Sequence, residues 1–266
     1  METLLMITMI ALGFVGSFFS GLLGIGGAII NFPLLLYVPP MLGAAQFSAH
    51  EVSSISMIQV FFASLAGVLA FRKKSKTETS LSLVNKRLVL YMGAGILTGS
   101  LIGGFVSGML DGDLINLIYG VLAVIAVILM LIPSKGTDEI RENLQFNTFI
   151  AVISAFLVGI VSGIVGAGGA FILIPIMLTV LHIPTRTTIA SSLAIVFISA
   201  AGGVIGKISG GAIPIWPTIF TVIGSLIGAP LGSKISTKMN VVFLRYGLVV
   251  LIALTAIKVW SSILFI

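Results

Sequence analysis

The chain has 266 residues, of which 58% are hydrophobic and only 8% charged, and its net charge is +6. Soluble domains carry about 25% charged residues, so this chain cannot cover a water-exposed surface and is predicted to be an integral membrane protein. It contains no cysteine, which excludes disulfides and thiolate metal sites. Most of the basic residues lie between apolar runs, a pattern typical of cytoplasmic loops and not of nucleic-acid binding.

Eight apolar runs follow one another along the chain. Continuous runs of about 20 residues predict transmembrane helices, whereas a β-barrel would show alternating segments of ~10 residues. The first and fifth runs are too long for one crossing, because a helix of roughly 35 residues would be ~52 Å long against a hydrocarbon core of ~30 Å. The runs cover residues 4–38, 52–71, 88–108, 114–133, 147–182, 189–206, 218–233 and 242–263.

Each of the two long runs carries the same glycine-rich motif near its middle. The stretches SGLLGIGGAIINFP (20–33) and SGIVGAGGAFILIP (162–175) are identical at eight of fourteen positions. A Ser-Ser pair recurs at 53–54 and 191–192, and the sequence GSLIG occurs at 99–103 and 224–228. The chain therefore consists of two repeats, 1–133 and 147–266, joined by the polar linker 134–146.

The positions of the positive charges indicate how the two repeats are oriented. Residues 72–87 contain six Lys or Arg, whereas the equivalent segment 207–217 contains only Lys207. The next pair of loops reverses this difference, because 111–113 has no positive charge and 234–241 has two lysines. Cytoplasmic loops carry the excess of Lys and Arg, so equivalent loops lie on opposite sides and the repeats are predicted to be inverted.

Inverted repeats need an odd number of crossings each, so each long run must enter the membrane and return to the same side. We therefore predict an all-α integral membrane protein with two inverted-topology repeats. Each repeat is a glycine-broken helical hairpin, or a re-entrant pair, plus three transmembrane helices. In the cell membrane, the basic loops 72–87, 134–146 and 234–241 are expected in the cytoplasm, and both termini and Lys207 on the outer side.

The glycine motifs are the first candidate site. Inverted repeats with helices broken inside the membrane are a transporter pattern, and irregular backbone there has to line a cavity or be buried in protein. A helix that begins at such a break directs unpaired N–H groups and its positive dipole end at the cavity, which suits an anion. Close helix packing through small residues is the structural alternative. The candidate substrate-binding residues are Ser20, Gly24, Gly26 and Gly27 in the first motif and Ser162, Gly166, Gly168 and Gly169 in the second.

Polar residues inside or at the start of the runs are further candidates for substrate contact. Asn31 lies in the second arm of the first hairpin and Gln59 in the next run, where each joins helices or contacts substrate. The two Ser-Ser pairs open helices, where they cap the backbone or bind an oxyanion. They are Ser53 and Ser54 in the first repeat and Ser191 and Ser192 in the second.

Three ionisable residues near the predicted membrane faces are candidates for coupling or gating. His50 and Glu51 precede the second run on the outer side, and Arg186 occupies the equivalent loop on the cytoplasmic side. Ionisable groups in such positions serve as proton relays or attract ions. The alternatives are helix capping for Glu51 and contact with lipid headgroups for Arg186.

These features together resemble a known family. The duplicated SGxxGxGGA followed by proline, the eight runs, the Ser-Ser helix starts and the polar linker resemble the TauE/SafE family of sulfite exporter-like membrane proteins, also called the toluenesulfonate uptake permease group. The resemblance covers essentially the whole chain. It implies transport of small sulfur-containing anions such as sulfite, thiosulfate, sulfoacetate, sulfolactate or other sulfonates, and it selects neither the anion nor the direction. The family's glycine motif falls on Gly21, Gly24, Gly26, Gly27 and Pro33, and again on Gly163, Gly166, Gly168, Gly169 and Pro175.

The expected function is a secondary transporter, an exporter of small sulfur-containing anions, that alternates access around a central site lined by the two glycine breaks. An anion channel on the same scaffold is the alternative. No catalytic constellation, metal-ligand pattern or ATP-binding motif is present in the sequence, so neither enzyme activity nor a cofactor is expected. The expected partners are the anion and the lipid bilayer, without nucleic acid. The coupling ion is left open between a proton and sodium, and so is a homo-oligomeric state.

Overall fold

The computed structural model describes residues 2–23, 28–75, 84–131, 146–210 and 213–236, together with parts of 246–261. These residues are mostly helical, and no strand occurs among them. The fold is therefore all-helical, as predicted. The helices with complete bounds are α1 (Glu2–Leu23), α2 (Ala28–Met41), α3 (Ala49–Ser75), α4 (Lys86–Ser107), α5 (Gly112–Leu131), α6 (Thr148–Val165), α7 (Ala170–Thr179), α8 (Thr185–Gly210) and α9 (Ile215–Ser236).

Seven of these helices are long and apolar enough to cross a membrane, and only α2 and α7 are shorter. Two of the seven, α3 and α8, form the centre of the protein. In their most apolar stretches 61% and 67% of the residues are buried, against 33% to 44% in the other five. The remaining long helices surround this central pair and expose apolar side chains, as expected for a surface that faces lipid.

Each long apolar run contains two helices, and the break between α6 and α7 lies at the second glycine motif, as predicted. The run 4–38 forms α1 and α2, and the run 147–182 forms α6 and α7. Since α7 has ten residues, it is ~15 Å long, about half the thickness of the hydrocarbon core. The second arm of this hairpin is therefore too short to cross the membrane by itself.

Glycines allow helices of the two repeats to pack backbone to backbone. Helix α1 packs along α9, and α4 packs along α6. A Cβ atom placed on Gly103 would overlap the carbonyl oxygen of Ile160, and one on Gly228 would overlap that of Phe14. These glycines end the two copies of GSLIG, so this duplicated sequence has the same packing role in both repeats.

The two central helices run in opposite directions. Ser53 near the start of α3 contacts Lys207 near the end of α8, whereas Gly67 further along α3 lies against Leu193 near the start of α8. The duplicated Ser-Ser pair marks α3 and α8 as equivalent helices. Equivalent helices that run antiparallel are what inverted repeats require, and the inversion and its sidedness stay predictions.

The predicted sidedness can be tested by labelling introduced cysteines, because the chain has none of its own. We expect Ser80→Cys, in the basic loop, to react with a membrane-impermeant maleimide only after the cytoplasmic face is opened. Gly112→Cys, at the opposite end of α4, is expected to react in intact cells. The reverse pattern at either position would overturn the inverted arrangement.

Candidate functional site

A polar cavity of about 640 Å³ opens at one end of the helix bundle. It lies where α3 begins and where α4 and α8 end, so three helix termini surround it. Its wall contains a carboxylate, an imidazole and an ammonium group, which is unusual among helices of this hydropathy. The lining residues are Ser48, His50, Glu51, Ser54, Gly104, Ser107, Gly108, Lys207, Gly210, Ile213 and Pro214.

The ammonium group of Lys207 is the main charged feature of this cavity. The residue is only 4% exposed. Its Nζ donates hydrogen bonds to Ser53 Oγ at 2.6 Å, to the carbonyl oxygen of Ile164 at 3.0 Å, and to Ser107 Oγ. Ser53 Oγ in turn donates to the same carbonyl at 2.8 Å. Lys207 therefore joins α8 to α3, α4 and α6 at a single point.

The location of Lys207 corrects the sequence prediction. It was expected in an outer loop at 207–217, but α8 continues to Gly210 and the side chain is buried. The predicted run ended at 206 because the lysine itself interrupts the hydropathy. Its burial depends on oxygens from three other helices, and their proximity cannot be seen in the linear sequence. One feature of the sequence could have identified this residue, namely a single lysine at the end of a long uncharged run. An ionisable residue at membrane depth indicates a functional site.

The contact with Ile164 has an electrostatic reason. Ile164 lies in the last turn of α6, where backbone carbonyls have no partner within the helix and the helix dipole is negative. The ammonium donates a hydrogen bond to this carbonyl, but the contact does not neutralise its positive charge. Among the described residues no carboxylate forms an ion pair with Lys207, although Glu51 lines the same cavity. A buried cation without a counter-charge is unfavourable.

The second glycine motif forms the reversal between α6 and α7. Gly166 ends α6 with φ +80°, and Gly168 and Gly169 also have positive φ, at +63° and +80°. A Cβ atom on Gly166 would overlap the backbone of Ser53. The turn therefore packs directly behind the serine that holds Lys207, and only glycine provides both the left-handed backbone and the close approach.

The N-terminus of α7 contains unsatisfied backbone groups. The N–H groups of Gly166 and Ala167 donate to Ser162, and those of Ile172 and Leu173 donate to Gly169. The intervening N–H groups, at 168–171, donate to none of the described residues. They are buried and do not reach the cavity wall, so a direct role of Gly166, Gly168 and Gly169 in binding substrate stays a prediction.

Three of the predicted site residues do line the cavity: His50, Glu51 and Ser54. Glu51 also caps α3. Its carboxylate accepts from the backbone N–H of Ser48 at 2.8 Å and from Ser48 Oγ at 3.0 Å, while Glu51 N–H donates to Ser48 Oγ at 3.3 Å. This reciprocal pair is a capping box, which is the structural alternative foreseen for this residue.

Ser53, also predicted, holds Lys207 on the cavity wall, whereas three other predicted serines bond elsewhere. Ser191 Oγ accepts from the backbone N–H of Asn85 at the start of α4, at 3.1 Å, and Ser192 Oγ bonds back to Ile189 within α8. Ser162 Oγ bonds back within α6, to the carbonyl of Gly159. Gly24, Gly26, Gly27 and the side chain of Arg186 lie outside the described residues.

Two predicted residues, Ser20 and Asn31, are buried elsewhere in the first repeat, at 1% exposure each. No group of three or more His, Cys, Asp or Glu that could hold a metal ion is found in the part of the chain that the structure describes.

The helices and the polar cavity define a multi-pass membrane protein of the transporter type. The chain belongs to the sulfite exporter TauE/SafE family, whose sequence profile matches residues 9–259. This confirms the resemblance seen in the glycine motifs. No solved structure matches the chain significantly.

Similar proteins are named as membrane transporters. The "Probable membrane transporter protein YunE" of Bacillus subtilis (strain 168) is 22% identical over 251 residues, which cover 88% of this chain and 89% of that protein. A "Probable membrane transporter protein" of Xylella fastidiosa (strain Temecula1) is 28% identical over 268 residues, or 97% and 96% of the two chains. The protein MJ0441 of Methanocaldococcus jannaschii, with the same description, is 25% identical over 254 residues, covering 91% and 90%.

The contact between the glycine turn and Ser53 predicts a large effect of one methyl group. Gly166→Ala forces a left-handed backbone on alanine and moves Ser53, so we expect the free energy of unfolding to fall by roughly 2 kcal/mol or more. The matched control is Gly108→Ala. Gly108 has φ −67°, and its Cβ would meet its nearest atom at 3.4 Å. Thermal unfolding in detergent measures both, and equal midpoints would contradict the packing described.

Proposed function

We propose that this protein is a secondary transporter that exports small sulfur-containing anions such as sulfite, thiosulfate or organosulfonates. The proposal rests mainly on Lys207, a buried ammonium group on the wall of a polar cavity that has no carboxylate ion-paired to it among the described residues. An anion that enters the cavity supplies the missing counter-charge. Membership of the sulfite exporter TauE/SafE family supports the same class of substrate.

The chemistry around Lys207 suits an oxyanion. Sulfite and sulfonate groups present several oxygens that accept hydrogen bonds, and charge-assisted bonds of this kind are the strong ones. The hydroxyl groups of Ser54 and Ser107 line the same cavity and add donors. All three Nζ–H donors of Lys207 are already used, so the anion replaces one hydroxyl partner or is held by charge together with these serines.

The size of the cavity does not restrict the substrate to one anion. Its volume of about 640 Å³ lies within the range of ~300–1,000 Å³ that holds drug-sized ligands. A small oxyanion would therefore enter with water around it. Selection among sulfite, thiosulfate and larger sulfonates would depend on how the cavity contracts during transport.

We further propose that the described conformation is open to the outer side. The cavity lies at the end of the bundle where α4 and α8 terminate, and the predicted topology places that end outside. At the other end, the hydrogen bond from the Asn85 backbone to Ser191 closes α4 against α8. Alternating access then requires this contact to break while the outer cavity closes around Lys207.

Neutralising Lys207 tests the proposal. We expect Lys207→Met to reduce sulfite efflux at least about tenfold, because a hydrogen bond to a charged group contributes ~1.5–3 kcal/mol. Lys207→Arg, which keeps the charge, should retain part of the flux. The control is Lys86→Met, which removes an exposed charge at the opposite end of α4. Efflux of radiolabelled sulfite from whole cells, normalised to folded protein, gives the readout, and undiminished flux in Lys207→Met would refute the assignment.

A channel on the same scaffold is the second candidate, favoured only by the openness of the cavity to one side. Counterflow separates the two functions. In proteoliposomes loaded with unlabelled sulfite, a carrier accumulates labelled sulfite transiently and its rate saturates. We expect both behaviours here. A linear, non-saturating flux without counterflow would instead establish a channel.

A further inference from the structure

A second polar cluster lies in the first repeat, and none of its residues lines the cavity. Its members come from α1, α2 and α3, and each is at most 1% exposed. Such burial of polar side chains among transmembrane helices is unfavourable unless each group has a partner. They are Ser17, Ser20, Asn31, Ser56 and Gln59.

One face of α1 brings the cluster together. Gln59 Nε2 donates to the carbonyl oxygen of Gly13 at 3.2 Å and to Ser17 Oγ at 3.1 Å. Asn31 Oδ1 lies directly against Gly16, in the space that a Cβ atom there would fill. Residues spaced by three or four lie on the same side of a helix, so the contacted residues of α1 and Ser20 form one stripe. Gln59 from α3 and Asn31 from α2 both contact this stripe.

The polar atoms that face this stripe are incompletely satisfied. Asn31 Oδ1 and Nδ2, Gln59 Oε1 and Ser20 Oγ are all buried without a hydrogen-bond partner. Each buried unsatisfied group costs about 1–3 kcal/mol. Most buried polar groups in proteins have a hydrogen-bond partner. Several unpaired groups on neighbouring helices therefore indicate a position that a ligand fills.

The unsatisfied atoms are mainly oxygens. The Gln59 amide has a defined orientation, because its nitrogen must donate to the Gly13 carbonyl, which leaves Oε1 as a free acceptor. Asn31 and Ser20 supply two further oxygens. No lysine or arginine hydrogen-bonds to these side chains among the described residues, so the cluster lacks the fixed positive charge found in the cavity.

Oxygen ligands without a carboxylate favour a monovalent cation. Calcium and magnesium sites in proteins are built with acidic side chains, and none belongs to this cluster. Sodium in transporters is coordinated by neutral oxygens and by the C-terminal ends of broken helices. Ser20 lies in the last turn of α1, where the helix dipole is negative and stabilises a cation.

The second repeat has a covalently attached cation at the end of the first helix of its hairpin. There, the last turn of α6 is capped by the ammonium group of Lys207. In the first repeat the residue at the same distance from the Ser-Ser pair is Leu69, which is 55% exposed. Conversely, Asn31 and Gln59 are replaced in the second repeat by Leu173 and Phe197. The second repeat thus contains the ammonium group of Lys207, and the first contains side-chain oxygens without a hydrogen-bond partner.

We propose that Asn31, Gln59 and Ser20 bind a sodium ion, which acts as the coupling ion of the transporter. Sodium binding is inferred from the cluster alone, whereas the role of sodium as coupling ion rests on the proposed function. The two sites therefore carry separate ligands, sodium between α1, α2 and α3, and the anion beside α8.

Sodium binding can be measured on the purified full chain without any anion substrate. We expect the thermal midpoint to rise saturably with sodium chloride, relative to N-methylglucamine chloride at equal ionic strength. Asn31→Leu, which copies the second repeat, should weaken the apparent sodium affinity by about tenfold or more through loss of an oxygen ligand. Asn31→Asp adds a negative charge and should bind sodium at least as tightly as the original chain.

The variants distinguish this inference from the proposed function. Lys207→Met should lose anion transport and still be stabilised by sodium. Equal stabilisation of the original chain and Asn31→Leu by sodium would overturn the sodium site and leave the anion site intact. Loss of sulfite binding in Asn31→Asp without any sodium effect would show that the cluster binds the anion, and no response to either ion would show that only water fills it.

Discussion

The structure depends on how the chain reversal between α6 and α7 satisfies its polar backbone away from water. A helix end inside a membrane leaves carbonyl groups that lipid cannot bind. Here the carbonyl of Ile164 receives two donors, Ser53 Oγ and Lys207 Nζ. Gly166 allows the turn to approach Ser53 closely enough for this to occur. One lysine, one serine and one glycine thus fix the hairpin against the central helices.

The same interaction links stability to function. Lys207 stabilises the end of α6, yet its charge is not neutralised by any described carboxylate, so the group that completes the fold is also the one that we propose binds the anion. The two sequence repeats share the glycine motif and the GSLIG packing sequence. They differ in side-chain chemistry, because the second repeat carries the ammonium and the first carries Asn31 and Gln59. In our proposals, this asymmetry lets similar repeats bind different ligands.

Much of the fold could be predicted from the sequence, because helix length, hydropathy and repetition are local properties. The break between α6 and α7, the all-helical membrane fold and the family followed from the length of the apolar runs and from the duplicated glycines. The cavity was predicted only in part. Glu51 and Ser54 were named as candidates, but Lys207 was placed in a loop. Its partners Ser53, Ser107 and Ile164 lie 43 to 154 residues away in sequence, and such long-range proximity leaves no local pattern.

The most direct test of the account is to locate a bound anion. Selenite has the shape and charge of sulfite and contains an anomalous scatterer, so a crystal structure of the protein with selenite would show its position independently of the protein density. The account predicts a peak within hydrogen-bond distance of Lys207, in the cavity bounded by Ser54 and Ser107. A selenite peak in the Asn31–Gln59 cluster, with the cavity beside Lys207 unoccupied, would contradict it.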